Sequence, residues 1–331
     1  MRTKKLGYTD LYLTRIGLGT WAIGGGGWEF SWGPQDDRES IATIHRALEL
    51  GINWIDTAPV YGLGHSEEIV GRAIKGLSEK PTIATKCSRI WDKEGKILSS
   101  LKEESIRREV EASLRRLKVD VIDLYQIHWP RPEKDIEEAW GTIADLVKEG
   151  KIRYAGVSNF NVEQLKRIQP IHPVASLQPP YSILEREIEK DVLEYCAKNN
   201  IGVIVYSPMQ KGLLTGKFTR ERIRDLPPDD HRRKDPHFQE PRLSINLKLV
   251  EDLRLIAKKR SRTVAQLAIA WTLRRAEVTA VIVGARRPSQ IEETAPAADW
   301  ILSEEEVKEI EVLLEKYKNM LENTKEEGGV R

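Results

Sequence analysis

Eight short runs rich in β-branched residues recur along this chain, and between them lie longer stretches whose apolar residues fall three or four apart. The runs are residues 16–18, 52–56, 82–85, 121–128, 154–158, 175–178, 202–206 and 280–283. The intervening stretches read as amphipathic helices, for example through Ile106, Val110, Leu114 and Leu117, or through Ile136, Ala139, Trp140, Ile143 and Val147. Eight strands, each followed by a helix and with no break in composition, close most naturally into a (β/α)8 TIM barrel, so the α/β fold is expected to be one domain over residues 1–331.

The segment 3–13, with Gly7-Tyr8-Thr9-Asp10 at its centre, reads as an N-terminal β-hairpin plugging the bottom of the barrel. After the seventh strand, residues from Gln210 to about Ser244 carry prolines and charges that forbid a long helix, and a mobile loop over the top face is expected there. Two helices follow, one on Leu249, Val250, Leu253 and Ile256, the other on Val264, Leu267, Ala268 and Trp271. An extra C-terminal helix starts at Ser303, which stands at capping-box distance from Glu306, and the tail KEEGGVR is expected to fray.

With 53 Lys plus Arg against 51 Asp plus Glu, the net charge of +2 supplies no whole-chain field for nucleic acid or an anionic membrane. Two cysteines, Cys87 and Cys196, make neither a disulfide framework nor a zinc site, which fits a reducing, cytoplasmic location. No leader-like segment and no run of about 18 apolar residues is present, so the chain is expected to be neither secreted nor membrane-spanning. The six histidines are scattered, without the spacing of a metal site, and no metal is expected. The sequence carries no signal for a particular oligomeric state.

Strand ends on one face of such a barrel converge, and Asp56, Tyr61, Lys86 and His128 all fall at or just past strand ends. A phenol with an ordinary pKa of about 10 becomes a useful acid near neutrality beside a cation, and Lys86 is the candidate. Asp56 and Lys86 would each be costly to bury alone, so each is the natural partner of the other. His128 can hydrogen-bond a substrate oxygen. Taken singly, these are a turn cap, a loop aromatic, a surface lysine and a core histidine; together they describe a carbonyl reductase with Tyr61 as proton donor. Two other readings stay open at this point: a barrel aldolase with Lys86 as Schiff-base nucleophile, and a cofactor-binding sensor without turnover.

Gly17, Gly19 and Ala22 match a G-x-G-x-x-A dinucleotide fingerprint, but GGGGWEFSWG follows instead of a helix, and that context fails the motif. Trp28 and Trp32 in this loop could wall an apolar pocket or pack structurally.

The motifs IGLGTW, INWIDTAPVYGLGHSEEIVGRAI, IATKC, DLYQIHWP, AGVSNF, LQPPYS, VIVYSPMQKGLLTGK and VIVGARRPSQIEET run in order through nearly the whole chain, which thereby resembles the aldo-keto reductases, in particular their bacterial and archaeal NADPH-dependent aldehyde-reducing branch. The resemblance implies that Asp56, Tyr61, Lys86 and His128 are a catalytic tetrad acting on a small-molecule carbonyl or alcohol substrate. It implies that Ser158, Asn159 and Gln178 hold the nicotinamide carboxamide and that Tyr206 stacks on the ring. Gly19, Thr20 and Trp21 would pass near nicotinamide and substrate, and Ser207, Met209, Lys211, Gly212 and Leu214 would wrap the pyrophosphate. Gly284, Arg286, Arg287 and Ser289 would bind an adenosine 2′-phosphate, for which the planar arginine fork is well suited, with Gln290, Glu293 and Thr294 along the adenine. Thr294 stands where many relatives carry Asn. The implied cofactor is NADPH/NADP+.

Overall fold

The computed structural model describes residues 1–328, with side chains through residue 323. Twelve strands occur among them: β1 (Thr3–Lys5), β2 (Tyr12–Thr14), β3 (Ile16–Gly19), β4 (Trp54–Asp56), β5 (Thr82–Cys87), β6 (Arg89–Trp91), β7 (Ile97–Ser99), β8 (Ile122–Ile127), β9 (Ile152–Ser158), β10 (Ser176–Gln178), β11 (Gly202–Val205) and β12 (Val278–Gly284). Eight of them form a closed parallel barrel in the order β3-β4-β5-β8-β9-β10-β11-β12, with β12 pairing back onto β3. The eight expected runs all become barrel strands, with ends displaced by a residue or two.

The helices are α1 (Asp37–Glu49), α2 (His65–Ala73), α3 (Glu103–Leu117), α4 (Ile136–Lys148), α5 (Val162–Ile168), α6 (Val192–Lys198), α7 (Arg220–Arg224), α8 (Arg242–Lys258), α9 (Val264–Leu273), α10 (Pro288–Thr294) and α11 (Glu304–Gly328). Apart from α7, their apolar stripes pack on the outside of the barrel strands in one continuous core. Ser303 Oγ accepts from Glu306 N at 3.2 Å while Glu306 Oε2 accepts from Ser303 N at 2.7 Å, so the capping box starts α11 where the spacing places it. This helix runs into the stretch expected to fray, whose last residues, 329–331, lie outside those described.

Strands β1 and β2 form the N-terminal hairpin, Thr3 opposite Thr14. Its Leu6, Leu11 and Leu13 join Trp54, Ala84, Leu124, Ala175 and Ile204 in a cluster inside the barrel. Gly202 opens β11 and a Cβ there would lie 2.3 Å from Leu6 Cδ1, so the plug fills the end at which the strands begin. The strands' other end is left for the site.

Two features differ from the sequence reading. Strands β6 and β7 form a small hairpin between the third barrel strand and α3. Its signal was the DKEGK turn: Asp92 Oδ1 accepts from Glu94 N and Lys96 N, and Gly95 sits at φ +79°. The segment after Gln210, expected as a mobile loop, is packed instead. Leu213, Phe218, Ile223, Leu226, Phe238 and Leu243 form a core of their own, and its charges are used in local pairs, Arg232 with Asp230 and Lys211 with Asp235. The prolines do limit it to short turns, but apolar residues at irregular spacing still bury one another. Its last part already belongs to α8, which starts at Arg242.

Candidate active site

The expected residues stand at the carboxyl ends of neighbouring barrel strands, staggered in register. Asp56 is paired beside Gly19 and Ala84, Lys86 beside Gln126, and Ser158 beside Gln178. Above them lies a cavity of about 850 Å³. The sequence-derived residues Gly19, Thr20, Trp21, Asp56, Tyr61, His128, Ser158, Asn159, Gln178 and Tyr206 line it, as do Ser207, Met209, Lys211, Gly212, Gly284, Arg286, Arg287, Gln290, Glu293 and Thr294. Three expected residues do not. Lys86 lies beneath the floor, Leu214 is fully buried in the core, and Ser289 is exposed outside the cavity.

Lys86 Nζ donates to Asp56 Oδ1 at 2.7 Å and to Thr57 O at 2.9 Å, and both members of the pair are shut off from solvent. Gln178 Nε2 donates to the other Asp56 oxygen at 2.7 Å. The buried carboxylate therefore has a cation on one oxygen and an amide on the other, the condition under which a buried charge is tolerable. Burial pushes the Lys86 ammonium down and Asp56 raises it again.

Tyr61 sits above this pair, with Lys86 Nζ 5.3 Å from its ring centroid. The loop bearing it crosses the turn after β3 backbone against backbone: Gly62 has φ +64°, and a Cβ there would stand 2.1 Å from Gly24 O. This approach stacks the Trp21 ring on Tyr61, with centroids 6.1 Å apart. His128 meets the Tyr61 ring edge-on at 5.9 Å.

Lys86 was expected to pull the Tyr61 phenol down. Instead the phenol is pushed well above the ordinary tyrosine value, by burial first and then by the Asp56 carboxylate and Tyr206. The chief reason is that burial penalises the phenolate, and the nearby Asp56 carboxylate adds to it. His128 is held well below the ordinary histidine range by burial, Lys86 and Arg89, and its ring is therefore neutral at pH 7.

A second polar group continues the floor. Asn159, in the left-handed region at φ +63°, donates through Nδ2 to His128 O at 2.9 Å and to Ser158 Oγ at 3.0 Å. Its Oδ1 accepts from Tyr206 OH at 2.8 Å. The flat Tyr206 ring is thereby fixed beside an amide cluster, a geometry that suits an aromatic amide laid on the ring.

The far end of the cavity is basic. Arg222, Arg232, Arg286 and Arg287 act on one another as like charges. Arg286 is tied down: its guanidinium donates to Gln35 Oε1 at 2.7 Å, to Trp32 O at 3.1 Å and to Pro34 O. The Arg287 side chain is exposed and has no hydrogen-bond or ion-pair partner among the described residues. Lys217 pairs with Glu293 across the groove.

Several lining residues were not singled out from the sequence: Phe30, Arg89, Trp129, Arg131, His231 and Arg232. His231 stands edge-on to Trp21 at 4.9 Å, and neither ring nitrogen has a partner; burial pushes it down to about 4. It arrives because the segment after β11 folds back, His231 N donating to Ser31 O at 3.2 Å. No periodicity could announce that contact. Trp28 and Trp32 both line the cavity, and Trp28 also packs on Ala58, Val60 and Ile97, so both readings of these tryptophans hold. The glycine fingerprint stays a decoy: after Gly19 come a short turn and a loop, and the next α-helix begins only at Asp37.

No helix among the described residues is long and apolar enough to cross a membrane. A model of the aldo/keto reductase family matches residues 15–315. Aldo-keto reductase YhdN of Bacillus subtilis (strain 168) is 44% identical over 310 residues, 93% of this chain and 92% of its own. The NADH-specific methylglyoxal reductase of Escherichia coli (strain K12) is 37% identical over 318 residues, 92% of this chain and 95% of its own. The solved structure of the glycerol dehydrogenase AKR11B4 from Gluconobacter oxydans matches with a TM-score of 0.87 at 43% identity, covering 95% of each chain.

Proposed function

The chain belongs to the aldo/keto reductase family, and from that premise we propose that it reduces aldehydes and ketones to alcohols with NADPH, Tyr61 giving the proton. The observation that carries this reading is the stack at the cavity floor: Asp56 and Lys86 paired at 2.7 Å, Lys86 5.3 Å from the Tyr61 ring, and His128 against that ring's edge.

The cavity fits the cofactor. Ser158, Asn159 and Gln178 form an amide-binding cluster beside the flat Tyr206 ring, and an unpartnered Arg287 waits at the opposite end for a phosphate. When bound, the reduced nicotinamide supplies the hydride.

Every other step belongs to side chains of this chain. A carbonyl oxygen seated between Tyr61 and His128 can accept from both, provided the neutral imidazole turns its N–H to the cavity. Tyr61, kept protonated by burial, holds the proton that the developing alkoxide needs. Lys86 is the nearest cation to the phenolate left behind, and Asp56 keeps that ammonium in place. Trp21, Trp28 and Trp32 wall the cavity and keep water from the reacting carbon. The geometry disfavours the aldolase reading, because the Lys86 amine is committed to Asp56 and Thr57 and does not line the cavity.

The test is the loss of reduced-nicotinamide absorbance with a panel of aldehydes, ketones and sugars, NADPH and NADH in parallel. Turnover of aldehydes with NADPH supports the proposal; tight NADPH binding without turnover of any carbonyl compound rejects it in favour of a sensor. NADH is the second cofactor reading, favoured by the name of the Escherichia coli relative, and the same panel separates the two.

A further inference from the structure

The cavity carries positive charge at both ends, and only one end is absorbed by the cofactor. Strand β12 leads to Arg286 and Arg287; four steps around the barrel, across the opening, β8 leads to His128, Trp129 and Arg131, and β5 leads to Arg89. Both Arg89 and Arg131 line the cavity.

Neither guanidinium has an ion-pair partner among the described residues, in a chain whose arginines are mostly paired. Arg89 is half-buried on the β6–β7 hairpin and is oriented by Ser99, whose Oγ accepts from Nη1 at 3.0 Å. Arg131 is exposed and lies over Trp129, its guanidinium carbon 5.3 Å from the ring centroid. Arg89 feels its burial first, then the opposite charge of Glu29, and then the like charge of Arg131. Arg89 also helps to keep His128 neutral, which places its charge within reach of the reacting end. Two cations lining the same end of the cavity, one held by a hydroxyl and one by an indole, with no carboxylate bonded to either, form a site that an anion can bridge.

We infer that Arg89 and Arg131 form an anion subsite at the substrate end, selecting carbonyl compounds that carry a carboxylate or phosphate group away from the reacting carbon. The inference rests on the carbonyl-reductase reading and names its substrate class. The guanidinium fork suits either anion, and the aromatic walls formed by Trp21, Trp28 and Trp129 suit a flat spacer between the anion and the carbonyl.

The experiment compares kcat/KM for 4-carboxybenzaldehyde with that for its methyl ester, and for glyceraldehyde 3-phosphate with that for glyceraldehyde. The ester is the more electrophilic aldehyde, so reactivity alone favours the neutral member. The subsite predicts about a tenfold preference for an anionic member, expressed in KM, weakened by salt, and reversed by Arg131→Glu. Arg131 is exposed, so this variant does not threaten the fold. Preference in the first pair alone marks a carboxylate site, and in the second alone a phosphate site. Anion-to-neutral ratios near one in both pairs, or ratios that Arg131→Glu and Arg89→Gln leave unchanged, overturn the inference while turnover of the esters leaves the reductase reading intact. Should neither member be turned over, tryptophan-fluorescence titration with 4-methylbenzoate against 4-methylbenzamide decides it: charge-selective binding lost in Arg131→Glu supports the subsite, and equal binding rejects it.

Discussion

The Lys86 ammonium lies 2.7 Å from Asp56 Oδ1, and both side chains are closed off from solvent. Removing one charge leaves the other buried with too few partners. Lys86→Met should therefore cost about 3–5 kcal/mol in urea unfolding, whereas the Lys86→Met/Asp56→Asn double variant, which keeps an acceptor for Gln178, should recover most of that loss and remain inactive. A Lys86→Met protein as stable as the parent would show that the pair is not held in its charged form.

The Tyr61 hydroxyl has no hydrogen-bond partner among the described residues, so its loss should barely touch stability. Tyr61→Phe is expected to lower kcat by about 10²–10⁴ while NADPH affinity changes by less than about twofold. Fluorescence titration beside steady-state kinetics checks both halves. Unchanged turnover would remove Tyr61 from the chemistry.

Reduction needs the protonated phenol, and burial with Asp56 and Tyr206 raises Tyr61 above its ordinary value of 10.0. The acid form therefore persists through neutral and mildly alkaline pH. His128 is lowered below 6.5 and is already neutral at pH 7, so no titration of it falls in the neutral range. The kcat/KM for reduction should be flat across neutral pH and fall only in strong alkali, while alcohol oxidation, which needs the phenolate, should rise over the same alkaline range. A falling limb centred near neutrality in reduction would contradict this assignment.

The barrel and its floor were legible in the sequence because strand periodicity and strand-end position are local properties. Asp56, Lys86, Gln178 and Ser158 stand at the carboxyl ends of their strands, a placement that follows once the strands are found. The state of Tyr61 was not legible. A lysine near a phenol in sequence terms suggests a lowered pKa, but the sign is set first by how deeply the fold buries the phenol and then by the Asp56 carboxylate, and burial of a loop residue is not a local property. The roof was missed for a similar reason: His231 reaches Trp21 and Trp32 beside the backbone bond to Ser31, a contact between segments far apart in the sequence. In the β6–β7 hairpin a turn signal was present, yet its consequence, placing Arg89 at the cavity, required the fold.

Arg286 and Arg287 are neighbours in sequence with different work to do. Arg286 closes the groove by holding Trp32, Pro34 and Gln35, while Gln35 Nε2 returns a bond to Arg286 O at 2.8 Å. These bonds take three of its five N–H donors and hold the guanidinium against the loop. Arg287, whose side chain is exposed and unpartnered among the described residues, is the arginine we propose for an adenosine 2′-phosphate, and a charge-assisted fork of this kind contributes about 1.5–3 kcal/mol. Arg287→Ala should therefore weaken NADPH by roughly 10–100-fold with little effect on NADH, whereas Arg286→Ala should weaken both cofactors together by loosening the loop. Titration of each variant with both cofactors reads this directly. Selective loss of NADPH in Arg286→Ala, with Arg287→Ala unaffected, would reassign the 2′-phosphate to the buried arginine and require the Trp32–Gln35 loop to let it go.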